Sequence, residues 1–499
     1  MKRYVKGITF FLLAAVLTGC GSSEEREAVE TGAEEVSVST WEDAVVYEAE
    51  EGTFLGGVTA NSANGTGYVE GFASDGDGCE IAIHVDETGF YDLAVVSRSA
   101  DGNYKANYLL VDNENMGTVE VEGKEFVDSI FPYVYMEAGD HTVTISKSWG
   151  WIYLDSIKVK TASPIDEDRF DIEPVLVNPN ATDNAKRLFT YLCDIYGTDI
   201  LSGQFCDQGM YGLENATIWR TTGRYPAILG LDFIEYTPSR VANGSTSKAT
   251  DYAIEYWNSG GIVTFCWHWN APEKYITGQW YSAFYKQYTN IDLAKIMNGE
   301  DEEGYGLLMQ DIDAIAEQLL ILQDAGVPIL WRPLHEASGG WFWWGDAGPE
   351  AYKELYIVLY DRLTNEYGLN NLIWVWNGQD KEWYPGDEYV DIIGEDIYPG
   401  EHVYTPQTAK YLEVLDYTDA DKMVILSENG CMFDPDLAIR DGAMWGSFCT
   451  WGGEFINKMN GLMILSEQYT EEYMVQKVYE HEHVITRDEL PDIINYPLR

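Results

Sequence analysis

The second part of the chain alternates short apolar runs with amphipathic stretches, and this pattern constrains the fold more than any other feature. From residue 181 onward, eight apolar runs of strand length are separated by segments with helical periodicity, such as 311–320 and 350–363. Strands that alternate with helices form a parallel sheet, and eight such units predict an α/β fold, a (β/α)8 barrel. The strand candidates are 200–204, 226–232, 261–268, 327–336, 372–377, 391–398, 424–428 and 445–451.

Two glutamates end the fourth and seventh strand candidates, Glu336 and Glu428. All strands of such a barrel end on one face, so these carboxylates are predicted to be neighbours despite their distance in sequence. Hydrolysis of a glycosidic bond needs such a pair, because one group donates a proton and the other attacks or stabilises the cationic anomeric carbon. The alternative is two structural ion pairs. Two structural ion pairs explain less well why polar residues also occur at the neighbouring strand ends, namely His268, His335, Asp396 and Tyr398.

Residues 44–161 have a different pattern, with short alternating strands between turn residues. This spacing predicts a β-sandwich. Residues 162–180 contain three prolines among acidic residues and few apolar ones, which is typical of an interdomain linker. The predicted barrel domain then covers residues 181–499.

Residues 1–19 are predicted to be a signal peptide. A basic start is followed by an apolar run, 8–17, which is too short to cross a bilayer core of ~30 Å. The run ends in LTGC at 17–20, which resembles the bacterial lipoprotein box and implies a lipid on Cys20 and a membrane-anchored protein at the cell surface or outside the cell. An ordinary secretory signal with a coincidental cysteine is the alternative. The acidic residues 20–43 predict a flexible tether.

The chain is strongly acidic, with 31 Lys and Arg against 83 Asp and Glu and a net charge of −52. Nucleic acids and anionic membrane surfaces repel such a chain, so we expect no nucleic-acid partner and no membrane contact beyond the lipid anchor. A monomer is expected. The six cysteines after Cys20 fit no disulfide framework and no metal-binding spacing, so disulfides and buried thiols both remain open.

Several motifs of the barrel part resemble glycoside hydrolase family 26. They are WRPLHE at 331–336, GGWFWWG at 339–345, LSENG at 426–430, SGQ at 202–204, WHW at 267–269 and DIY at 396–398. The likeness covers roughly residues 181–480. It implies a retaining endo-β-1,4-mannanase that acts on mannan, galactomannan or glucomannan. No cofactor is expected for catalysis.

The resemblance also implies a role for individual residues. Glu336 corresponds to the general acid/base and Glu428 to the nucleophile, with Tyr398 donating a hydrogen bond to Glu428. The carboxyl groups are then expected ~5–5.5 Å apart, and apolar neighbours are expected to raise the pKa of Glu336. The remaining substrate-binding residues implied by the resemblance are His268, His335, Trp341, Asp396, Trp280 and Trp451.

One position departs from the family pattern. Well-known members have an arginine directly after the tryptophan of the eighth strand, where it binds the second glycone sugar, but Trp451 is followed by Gly452. This departure leaves the cleavage pattern, endo or exo, and the exact substrate open. Mixed-linkage β-glucan and β-1,3-xylan are alternative substrates, and a non-catalytic surface protein that binds carbohydrate is the alternative from another class.

The predicted sandwich resembles a carbohydrate-binding module of family 35 or the related family 6. The resemblance rests on YEAE at 47–50, GYV at 67–69, EAGDH at 137–141 and LDSI at 154–157. It implies a structural calcium ion held by Glu48, Glu50 and Asp155, whose carboxylates are hard oxygen ligands. Three exposed acids on edge strands are the alternative. Trp149, Trp151, Tyr104 and Asn107 are candidates for a sugar-binding platform, with ordinary core and rim residues as an equally open interpretation.

Overall fold

A computed structural model describes residues 41–63, 66–458 and 461–499. The predicted signal peptide, Cys20 and most of the acidic tether therefore lie outside the described residues. A short 3-10 helix, Trp41–Asp43, precedes the first domain. Within the described ranges, no helix is both long enough and apolar enough to cross a membrane.

The N-terminal domain is a β-sandwich of two antiparallel sheets. Its strands are β1 (Val45–Glu48), β2 (Thr53–Leu55), β3 (Thr59–Ala63), β4 (Thr66–Glu70), β5 (Gly78–Val85), β6 (Gly89–Ser99), β7 (Lys105–Val111), β8 (Glu114–Val121), β9 (Val127–Met136), β10 (Gly139–Lys147) and β11 (Ile152–Thr161). One sheet has the order β3-β4-β11-β6-β9 with β1 paired to β11, and the other has the order β2-β5-β10-β7-β8. Strand β7 alternates buried with more exposed side chains, which is the period of two expected for a strand with one face on a core.

The C-terminal domain is a closed barrel of eight parallel strands. The strands of this domain are β12 (Ile200–Leu201), β13 (Gly203–Phe205), β14 (Ile228–Asp232), β15 (Ile262–Trp267), β16 (Ile329–Pro333), β17 (Leu372–Trp376), β18 (Ile392–Ile397), β19 (Met423–Asn429), β20 (Phe448–Thr450) and β21 (Val484–Ile485). Strands β13 to β20 form the barrel in sequence order. The predicted (β/α)8 barrel, preceded by a β-sandwich, is therefore confirmed.

Helices surround the barrel. They are α1 (Asp183–Ile195), α2 (Leu213–Thr222), α3 (Pro238–Ala242), α4 (Ala249–Asn258), α5 (Leu293–Met297), α6 (Glu302–Asp324), α7 (Pro349–Tyr360), α8 (Thr408–Leu415), α9 (Pro435–Asp441) and α10 (Glu472–Glu480). The long helix α6 buries Leu308, Ile312, Ile315 and Leu319, whose spacing of three and four residues places them on one face. Asp301 caps its N-terminus by accepting a hydrogen bond from the Gly304 amide.

The first strand candidate, 200–204, is divided in the structure. Strand β12 pairs with β21 outside the barrel, while β13 lies between β14 and β20 inside it. Ser202 separates them, and its hydroxyl donates to the Ile485 carbonyl oxygen at 2.8 Å. The Ser202 hydroxyl is thus satisfied by the outer strand at the point where the chain passes from β12 to β13.

The segment predicted as an interdomain linker is packed against the barrel. Arg169 donates to the Leu415 carbonyl oxygen at 2.7 Å, and the Val177 amide donates to Asp391 at 2.7 Å. Beyond the segment, the guanidinium of Arg440 lies 4.2 Å from the ring of Tyr135 in the sandwich. The two domains are therefore connected by ordered contacts, which composition alone did not predict.

All six cysteines of the described chain are buried free thiols. They are Cys79, Cys193, Cys206, Cys266, Cys431 and Cys449. The interpretation as buried thiols, rather than disulfides, is the one that the structure supports.

Candidate active site

The two glutamates predicted from the strand ends lie together at the C-terminal end of the barrel. Glu336 lies three residues after the end of β16, and Glu428 is the last residue but one of β19. Carboxylate oxygens of Glu336, Asp396 and Glu428 all lie within 4.8 Å of one another. This separation is close to the ~5–5.5 Å between the carboxyl groups of a retaining glycosidase, and it is shorter than the ~6.5–9.5 Å of an inverting one.

The backbone that carries Glu336 adopts an uncommon conformation. Leu334 and Glu336 have φ angles of 53° and 52°, in the left-handed region that non-glycine residues rarely occupy. Each such residue costs roughly 1–3 kcal/mol and persists where surrounding contacts hold it. Here the Glu336 amide donates to the Asn377 carbonyl oxygen at 2.7 Å, and the Trp344 indole donates to the His335 carbonyl oxygen at 2.9 Å. The strained turn thus fixes the direction of the Glu336 side chain.

A buried arginine lies beneath the carboxylates. Arg332 donates to Asp396 at 2.7 Å, to the Asn377 side chain at 2.8 Å and to Glu428. Its side chain is 1% exposed, and that of Asp396 is 0% exposed. Burial raises the pKa of Asp396, and the charge of Arg332 opposes this shift.

Asp396 lies below the cleft and has both carboxylate oxygens engaged. One oxygen accepts from Arg332, and the other accepts from the Ser427 hydroxyl at 2.7 Å. This placement differs from the expected contact with a sugar, because a side chain that is 0% exposed cannot reach one. Its position makes it a second anchor for Arg332.

Glu336 is surrounded by groups that favour its protonated form. Burial raises the pKa of Glu336 well above its usual range, and the negative charges of Asp396 and Glu428 raise it further. The Trp341 indole donates to Glu336 at 2.9 Å and opposes this shift. A carboxyl group that remains protonated at neutral pH can serve as a general acid.

Tyr398 faces the other glutamate. Its hydroxyl donates to Glu428 at 2.8 Å, and its ring packs 5.2 Å from that of Phe455. Burial and the neighbouring Glu428 charge raise the pKa of Tyr398, so its hydroxyl keeps the proton. Glu428 therefore accepts hydrogen bonds from Arg332 on one oxygen and from Tyr398 on the other.

The two predicted histidines form a chain with an aspartate. His268 Nδ1 lies 2.6 Å from Asp232, and His268 Nε2 lies 3.3 Å from His335 Nε2. Burial alone lowers the pKa of His268, but the Asp232 charge and hydrogen bond outweigh it and raise the pKa above its usual value. Burial and the nearby Arg332 charge hold the pKa of His335 well below its usual range, so His335 is neutral.

The three tryptophans predicted to bind substrate differ in position and exposure. Trp451 lies at the barrel mouth, with its ring 5.8 Å from His268 and 4.7 Å from Phe205. Trp341 is 44% exposed beside Glu336, as a sugar-stacking ring requires. The ring of Trp280 lies 5.7 Å from the guanidinium of Arg240, which belongs to α3.

The position after Trp451 has no side chain but faces an acid. A Cβ on Gly452 would lie 3.7 Å from a carboxylate oxygen of Glu214, and the next amide, that of Gly453, donates to the same oxygen at 3.2 Å. Glu214 therefore satisfies the backbone here.

Sequence reasoning gave no role in the site to Arg332 or Asp232. Arg332 lies within β16 and Asp232 ends β14, and both are in register with Cys266 of β15. A charged residue that interrupts an otherwise buried strand is the signal that could have identified them, since such charges are rarely buried without a partner.

Two sets of potential metal ligands are found among the described residues. Their donor atoms lie within 4.8 Å of one another, and the sets are Asp232, Cys266 and His268, and Glu336, Asp396 and Glu428. In each set a protein group already contacts the carboxylates, namely the His268 ring or the Arg332 guanidinium. The arrangement matches acid and nucleophile chemistry performed by carboxylates.

The residues predicted to form a sugar-binding platform on the sandwich domain differ in their exposure. Trp149, Trp151 and Tyr104 are 66%, 55% and 50% exposed, so their rings are open to solvent. Asn107 is fully buried and accepts from the amides of Ser148 and Gly150, so it orders the loop that carries both tryptophans. Its side-chain nitrogen has no hydrogen-bond partner within the described structure.

The three predicted calcium ligands lie near one another on β1, the turn after it and β11. Burial raises the pKa of Glu48, and the charges of Asp155 and Glu50 raise it further. One carboxylate oxygen of Glu50 is buried and has no hydrogen-bond partner within the described ranges. The three carboxylates do not all converge within 4.8 Å of one another, so further oxygen ligands would be needed to surround an ion.

Comparisons with known proteins agree with this geometry. Residues 177–489 match the model of glycosyl hydrolase family 26, and residues 45–162 match that of carbohydrate binding module family 35. The chain is 38% identical to a mannan endo-1,4-beta-mannosidase of Thermothelomyces thermophilus over 90% of each protein. It is 36% identical to mannan endo-1,4-beta-mannosidase B of a Piromyces species, over 91% of this chain and 78% of that protein.

A solved structure is similar over both domains. It is the GH26-CBM35 beta-(1,4)-mannanase of Podospora anserina, 38% identical with a TM-score of 0.63, and it covers 90% of this chain and 99% of that chain. The family model spans the whole barrel, including both glutamates. The chain therefore belongs to glycosyl hydrolase family 26.

Proposed function

We propose that the chain is a retaining endo-β-1,4-mannanase, and the observation that carries this conclusion is the Glu336 and Glu428 pair. Their oxygens lie within 4.8 Å of each other at the barrel mouth, which fits a double displacement. Relatives named mannan endo-1,4-beta-mannosidase, with up to 38% identity over 90% of this chain, support the substrate class.

Each glutamate has a distinct part in the two steps. Glu428 attacks the anomeric carbon while Glu336 donates its proton to the leaving glycosidic oxygen, which gives a glycosyl-enzyme. Glu336 then takes a proton from water as that water attacks the same carbon, and Glu428 leaves. Arg332 and Tyr398 direct Glu428 towards the sugar through hydrogen bonds to its two carboxylate oxygens.

The aromatic and imidazole groups around the carboxylates position the sugar. Trp341 offers an exposed ring beside the acid, and Trp451 offers a half-buried ring beside His268. His268, whose orientation Asp232 fixes, faces the sugar hydroxyls, and His335, which is 1% exposed, supports the His268 ring. Asp396 holds Arg332, and Arg332 in turn contacts Glu428.

A parallel assay on four polymers tests the proposed substrate. We expect the enzyme to release reducing ends from galactomannan and glucomannan, and to do so far more slowly from mixed-linkage β-glucan and β-1,3-xylan. Products should keep the β-configuration at the new reducing end, which NMR of the early reaction detects. Preference for either control polymer would contradict the substrate, and an inverted product would contradict the mechanism.

We also propose that the sandwich domain binds polysaccharide through the loop that carries Trp149 and Trp151. Their exposure and the ordering of the loop by Asn107 support this role. Binding on a domain joined to the barrel raises the local substrate concentration.

Replacing Trp149 and Trp151 by alanine is expected to weaken binding to insoluble mannan by roughly tenfold, because each ring loses the apolar area that a sugar would cover. Hydrolysis of soluble oligosaccharides should be unchanged. Pull-down with the insoluble polymer measures the effect. Trp219→Ala is the matched control, since Trp219 is a 52% exposed tryptophan on α2 of the barrel. Equal loss in the control variant would contradict a specific platform.

A calcium ion in the sandwich domain is a further proposal. The buried, unpartnered oxygen of Glu50 and the raised pKa of Glu48 fit residues that bind a cation. Glu48, Glu50 and Asp155 would hold the ion, with carbonyl oxygens completing six to eight ligands.

Removing calcium with a chelator is expected to lower the melting temperature of the sandwich domain. A ligand at about 100 times its Kd stabilises the folded state by ~2.7 kcal/mol, a shift of several degrees for a domain of this size. Calorimetry with and without added calcium measures the shift. Glu50→Gln should abolish the response to calcium, and a response that persists in this variant would contradict the assignment.

We propose in addition that the mature protein is a monomer anchored at the cell surface by a lipid on Cys20. The support is the LTGC motif at 17–20 after a short apolar run. Fractionation of cells that express Cys20→Ala tests the anchor, which is contradicted if the variant stays in the membrane fraction.

A further inference from the structure

Side-chain amides replace backbone pairing between β17 and β18 at the barrel mouth. Trp376 is the last residue of β17 in the pairing register with β18. Further along the chain, the Asn377 side-chain nitrogen donates to the Gly394 carbonyl oxygen at 2.9 Å, and the Gln379 side-chain nitrogen donates to the Asp396 carbonyl oxygen at 3.2 Å. The two amides thus bind alternate carbonyl groups of β18, and the backbone of residues 377–379 can bind another partner.

This partner is the turn that carries the general acid. The Glu336 amide donates to the Asn377 carbonyl oxygen at 2.7 Å, and the Ser338 amide donates to the Gly378 carbonyl oxygen at 3.1 Å. Glu336 has a φ angle of 52°, and such a conformation persists only where neighbouring contacts hold it. The direction of the Glu336 side chain therefore depends on the position of residues 377–379.

Gln379 fixes the end of this segment. Its φ angle of 62° lies in the left-handed region, and its side-chain nitrogen also donates to a carboxyl oxygen of Glu395 at 3.3 Å. Glu395 is 2% exposed and accepts from the Tyr417 hydroxyl at 3.4 Å. Burial raises the pKa of Glu395 to about 8, although the charge of Lys410, 3.9 Å away, opposes the shift. Around neutral pH the group is therefore mostly uncharged, and it serves Gln379 as a hydrogen-bond acceptor.

The same glutamine contacts the strand next to the nucleophile. The register between β18 and β19 shifts between Glu395 and Asp396, and after the shift Asp396 pairs with Glu428. The Asp396 side chain also binds Arg332, which contacts Glu428. Gln379 therefore connects the turn of the acid to the residue that pairs with the nucleophile.

We propose that Gln379, held by Glu395, is a positioning residue that sets the separation between Glu336 and Glu428, a role that rests on the proposed function. The carboxylate oxygens of the two catalytic glutamates lie within 4.8 Å of each other. A displacement of about 1 Å at a reacting group can cost about 10²-fold in rate, so a small movement of the Glu336 turn has a measurable effect.

Loss of the Gln379 side chain is expected to affect the acid and to spare the nucleophile. Residues 377–379 lose a hydrogen bond to β18, and the Glu336 turn moves with them. Glu428 keeps its own two hydrogen-bond donors. A dinitrophenyl β-mannoside needs no proton from Glu336, so its first step should keep nearly the wild-type rate in a Gln379 variant.

The pH profile of Gln379→Ala on galactomannan tests the proposal. Alanine keeps the Cβ of glutamine and with it the backbone cost at a φ angle of 62°, so the variant reports the lost hydrogen bonds. We expect kcat to fall by roughly 10–10²-fold with KM nearly unchanged. Glu336 gains contact with water and moves away from the charges of Asp396 and Glu428, so its pKa should fall. The alkaline limb of kcat/KM should therefore move to lower pH.

Gln323→Ala is the matched control. The Gln323 side-chain nitrogen donates to the Gly368 carbonyl oxygen at 3.2 Å, and its oxygen accepts from the Asn370 amide at 2.6 Å, so it also joins separate segments. It lies at the C-terminal end of α6, at the opposite end of the barrel from the carboxylates. Both variants should lower the melting temperature, but the control should keep the wild-type pH profile.

Three further variants separate the contributions of Gln379 and Glu395. Asparagine tolerates the left-handed backbone well but is one methylene group shorter, so Gln379→Asn should move the limb in the same direction even if the alanine variant does not fold. Glu395→Gln keeps an acceptor for Gln379 and should keep the wild-type profile. Glu395→Ala should move the limb as Gln379→Ala does.

Failure of this role is distinguishable from failure of the proposed function. A limb that stays in place in both Gln379 variants, or that moves equally in Gln323→Ala, overturns the positioning role while the mannanase activity stands. An equal shift in Glu395→Gln and Glu395→Ala overturns the part assigned to the Glu395 acceptor. If the wild type cleaves only β-glucan, the proposed substrate fails, and the same profiles on that polymer still decide the positioning role.

Discussion

Replacement of Glu428 by alanine is expected to reduce kcat on galactomannan by roughly 10⁴–10⁶-fold, the range seen when a covalent nucleophile or its partner is removed. Glu428 accepts from Arg332 and Tyr398, so its oxygens are held in a fixed direction at the barrel mouth. Asp396 cannot take its place, because the Asp396 side chain is 0% exposed. Reducing-sugar release at saturating substrate measures the effect.

Added azide separates loss of the nucleophile from loss of the fold. With the Glu428 carboxylate gone, azide can attack the anomeric carbon from the same side and give a glycosyl azide of inverted configuration, which NMR identifies. Tyr398→Phe is the graded control, since it keeps the nucleophile and removes one hydrogen bond of 2.8 Å, a loss of about 1.5–3 kcal/mol. Substantial activity of Glu428→Ala without azide would contradict the assignment.

The architecture and the catalytic pair could be predicted from sequence for a common physical reason. Buried parallel strands are continuous apolar runs, and a barrel brings all of their C-terminal ends to one face. Glu336 and Glu428 each end such a run, so their proximity follows from the strand count without any distance information. The sandwich was predictable from the period of two in strands such as β7.

Residues beneath the site were harder to predict, because their roles depend on side-chain packing across strands. Arg332 contacts Asp396 and Glu428, which lie 64 and 96 residues further along the chain. Asp396 ends a strand much as Glu428 does, and only its pairing with Arg332 and Ser427 shows that it faces away from the sugar. Strand ends thus identify which residues meet but not which of them remain open to substrate.

The structure of the loops was the part of the fold least predictable from the sequence. The segment 162–180 looks like a free linker in composition, yet its contacts with Leu415 and Asp391 bridge more than 200 residues. The buried side chain of Asn457 accepts a hydrogen bond from Thr217, 240 residues away. Such contacts produce no periodic pattern in the sequence, because each buried polar group of a loop is satisfied by its own hydrogen bond.

Replacement of Glu336 by glutamine is expected to lower activity on mannan by roughly 10²–10⁴-fold, since an amide cannot protonate the leaving oxygen. A substrate with an activated leaving group, such as a dinitrophenyl β-mannoside, needs no such proton. The variant should therefore release the phenol in a burst and then accumulate the glycosyl-enzyme, which mass spectrometry detects at the peptide that contains Glu428. Equal slowing of the burst would contradict a role as general acid.

The pH dependence of kcat/KM gives an independent check of the same residue. Catalysis needs protonated Glu336, and burial with the charges of Asp396 and Glu428 raises its pKa. Activity is therefore present below the raised pKa and lost as the pH rises through it, so the alkaline limb should lie well above the ordinary carboxyl range. In Glu336→Gln this limb should disappear.

Trp341→Phe tests whether the alkaline limb reports the pKa of Glu336. The Trp341 indole donates to Glu336 and favours its ionised form, which lowers the pKa. Removing this donor should raise the pKa and move the alkaline limb to higher pH, whatever happens to the absolute rate through lost stacking. A limb that moves to lower pH, or that survives in Glu336→Gln, would assign the titration to another group. His268 is then the first alternative, because the neighbouring Asp232 raises its pKa.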